Sequence, residues 1–503
     1  GVFCILALLC WGCASCSSDS ETPGSTWRTA PPERQGFDSA ELAAVIEQID
    51  AEDLPFDSVQ VVRNGVLILD AYFYPYLGGQ PHDIASVTKS VTSTLVGIAI
   101  DRGLLALDDA VLEHFGELGP APTGDGKEDI RLEHLLTMSS GLACGHSPGE
   151  PELYAMLASD HYVEYALSLP MATPPGVLFA YCSPGSHLLS AMLSDGAAQT
   201  AHEFAREHLF GPLGISESVW PTDPQGVNHG WGDLQLHPHD MARIGLLFLN
   251  EGEWNGTRVL SSAWIERATR SSIATGADDT DYGYQWWVLG AEMEGVYEAR
   301  GRGGQAIVAW PDKDVVAVFT GRGIDVRGDV APVLAAALKS DDALPSNPDA
   351  YARLQAAIER AKEAPEAQPV PDLPPIAEEV SGKIYRLDSN QFDVRCVSLR
   401  FDSPSEVAFT LSVGEGSFEL PVGMDGVPRF SESGPTGIPV GVTGRWSASS
   451  VFEMAYDEVA GPNHLRIRAD FPPSAESLTL LFTDPAGHFA PQVVPGSETS
   501  SCE

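Results

Sequence analysis

A serine and a lysine stand three residues apart in "ASVTKSVTSTLVGIAI", Ser86 and Lys89, at the head of an apolar run. Residues three apart share one face of a helix. The lysine amine can therefore lie over the serine oxygen. A serine hydroxyl becomes a useful nucleophile only when a neighbouring base takes its proton. Lysine can be that base only where burial or nearby positive charge favours its neutral form. The bland alternative is a capping serine followed by a solvent-facing lysine. With six lysines in the chain, a Ser-x-x-Lys match arises by chance roughly once in every two such chains. Context favours chemistry, because a lysine at the start of so apolar a helix has few routes to water and needs a partner.

Two further stretches offer groups that could work with this pair. In "LFAYCSPGSHLLSAML", Tyr181 is followed two places later by Ser183. A tyrosine beside a lysine can serve as base or proton relay, although a lone tyrosine is more often a core aromatic. In "EARGRGGQAIVAWP", Arg302, Gly303, Gly304 and Gln305 open a strand. The glycines allow close approach of the backbone, a strand-edge N–H can serve an oxyanion, and Arg302 offers a fixed charge with a fork for a carboxylate. Read alone, "GRGG" is a turn.

These groups need elements to hold them. "GFDSAELAAVIEQID" reads as a helix that Asp38 caps and Glu41 closes in a capping box. "DSVQVVRNGVLILDAYFY" alternates around Asn64-Gly65 and reads as a hairpin. In the Ser86 helix, Val87, Val91, Leu95 and Ile98 form one stripe. Helical periodicity continues to about Asn250, strands return between Tyr282 and Gly321, and "VAPVLAAALKS" closes as a helix. The expected fold is α/β mixed (α+β): an antiparallel sheet built from both ends of the segment and flanked by helices, with a helical insertion between them. "PSNPDAYARLQAAIERAKEA" and "PEAQPVPDLPP" read as a charged helix and a stiff linker over 343–374. Short strands separated by Gly, Pro, Ser and Asn then predict an all-β domain over 375–495, a sandwich or barrel. The nucleophile-bearing domain spans 27–342.

Composition narrows the class. At 503 residues the chain is too long for one typical core. Acidic residues outnumber basic ones 70 to 29, a formal charge of -41, which repels phosphate backbones and anionic lipid surfaces and argues against nucleic-acid binding. "GVFCILALLCWGC" is too short to span a bilayer comfortably and suits a signal-peptide core, with an initiating Met expected upstream. With the Ser-rich tether behind it, residues 1–26 read as an export segment. Cys16 or Cys13 is the candidate lipid-modified cysteine, which would leave the chain anchored, not spanning, with a plain secretory signal as the alternative. Export permits disulfides; Cys144, Cys182, Cys396 and Cys502 allow three pairings. "LHPHD", with His237 and His239, is the nearest approach to a metal cluster and reads as a loop, so no metal and no cofactor is expected.

Ser-x-x-Lys on a helix, then Tyr-x-Ser about a hundred residues on, then an Arg-Gly-Gly strand resembles the serine β-lactamase and penicillin-recognising group, class C branch. "LEHLLTMSSGL", "HLFGPLGI", "GWGDLQLHPHDMARIGLLFLNEGEWNG" and "YGYQWW" match in style and order. The resemblance covers roughly residues 30 to 340. It implies that Ser86 is acylated, that Lys89 and Tyr181 move the proton, that the amides of Ser86 and Gln305 form the oxyanion hole, and that Ser183, Arg302, Gly303 and Gly304 bind substrate. Tyr-Cys-Ser in place of Tyr-x-Asn, and Arg-Gly-Gly in place of Lys-Thr-Gly, remove groups that help grip a β-lactam. The chain looks more like the esterases, amide hydrolases and D-amino-acid peptidases of this fold, including hydrolases of 6-aminohexanoate dimers. The expected substrate is a small molecule or short peptide carrying an ester or amide. β-Lactamase or D-peptidase activity is the alternative, as is a sensor that acylates without turnover. A Cys144–Cys182 bridge would pin the second motif to the helical domain, leaving Cys396 for Cys502. Trp286, Trp287 and Tyr284 read as sheet packing, with pocket lining as the alternative.

Overall fold

The computed structural model describes residues 27–118, 125–145, 149–277, 279–326, 328 and 331–502. The expected export segment and its cysteines lie outside the described residues. The central sheet has eight strands: β1 (Phe56–Arg63), β2 (Val66–Tyr72), β3 (Ile273–Ala277), β4 (Thr280–Tyr282), β5 (Trp287–Leu289), β6 (Tyr297–Gly301), β7 (Gln305–Trp310) and β8 (Val315–Gly321). Their order is β2-β1-β8-β7-β6-β5-β4-β3, antiparallel throughout. The Asn64-Gly65 turn closes the first hairpin with φ of 50° and 68°, the left-handed pair that a two-residue hairpin turn requires. β1 then pairs with β8, Val59 opposite Phe319 and Val61 opposite Ala317. The first and last strands of the sheet segment thus pair inside the sheet, one strand in from its β2 edge.

Both faces of the sheet are covered. Along β8, Val316 and Val318 pack on one side, and Val315, Ala317 and Phe319 on the other. Side chains in a strand point alternately to opposite faces, so a continuous apolar run signals two buried faces. On the first face lie α2 (Val87–Asp101) and α4 (Pro238–Leu249), with α3 (Ser183–Ala197) packed against α2. On the second lie α1 (Ser39–Ala51), α5 (Ala331–Ala337) and α6 (Pro348–Arg360). Asp38 caps α1 by accepting from the Ala40 amide at 2.8 Å. Glu41 does not close a capping box; its carboxylate takes Lys339 at 3.0 Å. The charged helix α6, read as the start of a linker, packs on α1: Leu354, Ala357 and Ile358 enter the core, and Arg353 and Arg360 pair with Glu47 and Asp50. "LHPHD" is not a loop. His237 stands just before the first turn of α4 and His239 lies within that turn, paired with different carboxylates, Glu217 at 3.1 Å and Asp70 at 3.0 Å.

The C-terminal strands are β9 (Ile384–Leu387), β10 (Val394–Arg400), β11 (Glu406–Val413), β12 (Gly416–Gly423), β13 (Arg429–Ser431), β14 (Val440–Ala448), β15 (Val451–Glu458), β16 (His464–Asp470), β17 (Ser477–Thr483) and β18 (Gln492–Thr499). Nine of them, in the order β12-β11-β10-β9-β18-β17-β16-β15-β14, form a barrel that closes where Gly423 of β12 pairs with Thr443 of β14. Closure removes the exposed edges that an open sheet would present. The domain runs beyond residue 495, since β18 ends at Thr499 and Cys502 bonds Cys396. The barrel docks on the first domain through the 459–463 loop. The Asp83 amide donates to the Ala460 carbonyl at 2.9 Å, and the Gln80 side chain to Val459 at 3.2 Å. A buried ionic chain crosses the same junction, from Asp57 through Arg322 to Asp457.

Candidate active site

Ser86 is the residue before the first turn of α2, and its side chain makes no capping bond to the helix. That removes the bland reading of a capping serine. The backbone approaching it is unusual: Ala85 has φ of 46°, a conformation that costs a non-glycine residue free energy and recurs at functional sites. The Asp83 carboxylate holds the turn by accepting from the Ala85 amide at 2.8 Å. Thr88 locks it from the other side by donating to the Ala85 carbonyl at 2.6 Å.

Lys89 is 1% exposed. Its Nζ donates to Ser86 Oγ at 2.9 Å and to the Trp231 carbonyl at 2.9 Å, and it lies 4.7 Å from the centre of the Tyr181 ring. The structure thus brings Ser86, Lys89 and Tyr181 together, with the amine over the ring face of the tyrosine. Neither of its hydrogen bonds goes to the phenol oxygen. Trp231 is set in turn by a buried pair. Its ring meets His187 of α3 at 5.0 Å edge to face, and His187 Nε2 meets Asp223 at 3.0 Å. Burial pushes the His187 imidazole below its ordinary range. Burial works against the Asp223 charge, but the His187 bond and backbone amides outweigh it and hold this carboxyl low.

Tyr181 is fixed from both sides. Cys182 is bonded to Cys144, with Cα atoms 5.4 Å apart, and the Ala180 amide donates to the Met138 carbonyl at 2.8 Å. Its ring stacks on Trp287 at 5.9 Å, and the Arg300 guanidinium covers the Trp287 ring at 4.9 Å. Of the three aromatics read as sheet packing, Trp286 and Tyr284 are core residues, while Trp287 belongs to the site. The Cys144–Cys182 bridge closes a 38-residue separation. The Cys144→Ser/Cys182→Ser double variant is expected to lose about 4 kcal/mol of stability in denaturant unfolding.

The third motif departs most from the expectation. Arg302, Gly303 and Gly304 form the turn between β6 and β7. Arg302 is exposed, and its Nη1 donates to Asn463 Oδ1 of the barrel at 2.7 Å, so the expected grip on a substrate carboxylate beside Lys89 is not its contact here. Gln305 is fully buried, with its side chain bonded to Gly321 and to the Arg302 carbonyl. The strand residue that crowds the nucleophile is Gly301: a Cβ there would sit 3.0 Å from the Ser86 nitrogen and 2.6 Å from the Ile84 carbonyl. Gly301 is the register partner of Gln305 across this turn. Ser183 starts α3, buried, and donates its hydroxyl to Glu150. Sequence reasoning missed Trp231, Arg300, His187, Asp223 and Glu150. Trp231 lies within "GWGDLQLHPHD", His187 within "LFAYCSPGSHLLSAML" and Arg300 within "EARGRGGQAIVAWP", the stretches that carried the available signal.

A family model described as beta-lactamase matches residues 42–331. The chain belongs to the beta-lactamase family. Within this serine hydrolase family, a 6-aminohexanoate-dimer hydrolase from Paenarthrobacter ureafaciens is 23% identical over 266 residues, covering 49% of this chain and 67% of that protein. Penicillin-binding protein 4 from Amycolatopsis lactamdurans is 25% identical over 210 residues, covering 35% of this chain and 53% of that protein. A solved structure from Bacillus anthracis, provisionally assigned as a 6-aminohexanoate-dimer hydrolase, superposes with a TM-score of 0.52 at 21% identity, over 67% of this chain and 88% of that one. That likeness supports the β-lactamase-like fold.

In this β-lactamase-family site, burial, with Asp233 nearby, pushes the Asp83 carboxyl up to about 7. Glu458 adds to the rise, and Arg302 opposes it. Because the folded value lies above the ordinary 3.8, the contribution to stability is fully present below about pH 4 and is lost as pH rises through about 7. Asp83→Asn is therefore expected to melt close to the parent at low pH and above it at pH 8, in thermal scans at both values. A difference that is largest at low pH would refute this assignment.

Proposed function

We propose that the chain is an exported serine hydrolase that cleaves an ester or amide through an acyl-enzyme on Ser86. The single observation carrying this reading is the 2.9 Å bond from Lys89 Nζ to a Ser86 hydroxyl that caps nothing. Ser86 Oγ attacks the carbonyl carbon as its proton passes to the Lys89 amine, with Tyr181 beside it as relay. The Ser86 amide and an amide of the turn after Gly301 receive the oxyanion. Collapse breaks the carbonyl bond to the leaving alcohol or amine, which takes the proton. Water then attacks the acyl-enzyme, releases the acid and restores Ser86.

Two contacts favour neutral esters and amides over β-lactams. Glu150 occupies the hydroxyl of Ser183, which stands in place of the second-motif carboxamide that helps hold a β-lactam's side-chain amide. Arg302 is engaged with Asn463. Two disulfides, Cys144–Cys182 and Cys396–Cys502, support an oxidising compartment, in keeping with the export segment and lipid anchor read at the N-terminus.

The test is a panel of esters, linear amides, D-peptides and one chromogenic cephalosporin, with intact-mass analysis after brief exposure. The expected result is ester or amide turnover with an acyl adduct on the peptide containing Ser86. A stable adduct without turnover would convert the protein to a sensor. Preferential cephalosporin turnover would make it a β-lactamase.

A further inference from the structure

The barrel is not filled. A cavity of about 1350 Å³ runs from the barrel interior to its junction with the first domain, larger than the roughly 300–1,000 Å³ of ordinary ligand pockets. Protein interiors leave few voids larger than a water molecule, so a space of this size is a built feature. Barrels of about this strand number have room for one small ligand. The walls are apolar: Val397, Phe409, Leu411, Tyr456, Ile467 and Phe482 all face the cavity.

The two ends of the barrel differ. One is plugged by aromatics, Trp446 against Phe401, Phe452 and Phe471 at 5.5, 5.2 and 6.0 Å. The other end is polar and meets the first domain. Along β15, Phe452 belongs to the plug and Glu458 to the mouth, six residues apart, about 20 Å of strand. At the mouth, Glu458 accepts from Thr436 at 2.6 Å and from Asn463 at 2.7 Å, and Asn463 accepts from Arg302.

Two short links join this mouth to the nucleophile. Arg302 lines the cavity, and the residue before it, Gly301, crowds the Ser86 amide. Pro151, Tyr154 and Ala155 also line the cavity, and the residue before that segment, Glu150, holds Ser183 of the second motif. The cavity mouth is therefore linked to the nucleophile's surroundings on two segments, through the neighbours Gly301–Arg302 and Glu150–Pro151. An apolar tunnel closed at the far end and polar at the near end matches a linear chain with a polar head.

We propose that the barrel lumen binds the aliphatic chain of the substrate, a medium- to long-chain acyl ester or amide whose carbonyl stays at the mouth beside Ser86. This rests on the reading of Ser86 as the nucleophile, and the experiment separates the two. Full-length Ser86→Ala protein is titrated with dansylaminoundecanoate, which is then displaced by linear carboxylates from hexanoate to dodecanoate. Displacement is expected to strengthen about three- to fourfold per added methylene. Leu411→Trp and Val413→Trp, which fill the lumen, are each expected to weaken probe binding at least tenfold. In wild type, kcat/KM on 4-nitrophenyl esters is expected to rise from acetate to dodecanoate. Displacement that is flat with chain length overturns the proposal, as does native-like probe binding by folded Trp variants. The chain-length series needs no lumen variant, so it decides the matter even where those variants fail to fold. Ester turnover without chain preference or probe binding overturns the lumen site and leaves the hydrolase reading intact. Chain-dependent binding with no turnover of any ester overturns the hydrolase reading and supports the lumen site.

Discussion

Ser86→Ala is expected to lower kcat/KM on the best ester of the panel by about 10⁴-fold or more, with the melting temperature within a few degrees of the parent. The loss is large because the whole covalent route goes with the hydroxyl. The fold is spared because the Ser86 side chain makes no capping bond to α2. The cost is one hydrogen bond to Lys89, whose Nζ keeps the Trp231 carbonyl. Steady-state kinetics with thermal scans check both parts. Turnover that survives the substitution with the acyl adduct still forming elsewhere would remove Ser86 from the mechanism.

Lys89→Met is expected to cost about 10²- to 10⁴-fold in the acylation rate, the usual range for a positioned base. Methionine nearly matches the lysine stem in volume, so the apolar packing of α2 survives. The change leaves the buried Trp231 carbonyl without its donor, a cost of about 1–3 kcal/mol that the loss of a buried amine offsets in part. Lys89→Arg is not expected to rescue activity. The guanidinium cannot give up its proton and is wider than the slot between Ser86, Trp231 and the Tyr181 ring. Single-turnover labelling with a fluorophosphonate isolates acylation. Labelling of Lys89→Met at the parent's rate would show that the amine is not the base.

The junction of the two domains gives these predictions a shared setting. The 459–463 loop touches the residues just before Ser86, through Asp83 to Ala460, and the turn just after Gly301, through Arg302 to Asn463. The barrel is thus continuous with the walls of the site, and Asp57, Arg322 and Asp457 tie it down with buried charge. Removing one member of such a chain leaves an uncompensated charge and costs more than a surface pair would.

Local features were legible in the sequence because spacing along a helix or strand fixes near neighbours. Three residues on a helix put Lys89 over Ser86, and Asn64-Gly65 dictated a hairpin. The short strands after residue 375 implied an all-β domain. Tertiary structure alone decided the long-range partners. The Trp231 carbonyl is 142 residues from Lys89, Glu150 is 33 from Ser183, and Asn463 is 161 from Arg302. No spacing rule reaches such distances. The Arg302–Gly304 turn shows why: Gly303 and Gly304 both have positive φ, and a turn so permissive can send a side chain to either side of the sheet. Packing against the barrel sent Arg302 to the lumen mouth, while Arg300, two residues earlier on β6, covers Trp287 on the nucleophile's side. Whether the barrel would be solid or hollow was equally hidden. Alternation tells which residues face inward, but the space left between them depends on strand number and on where aromatics fill it.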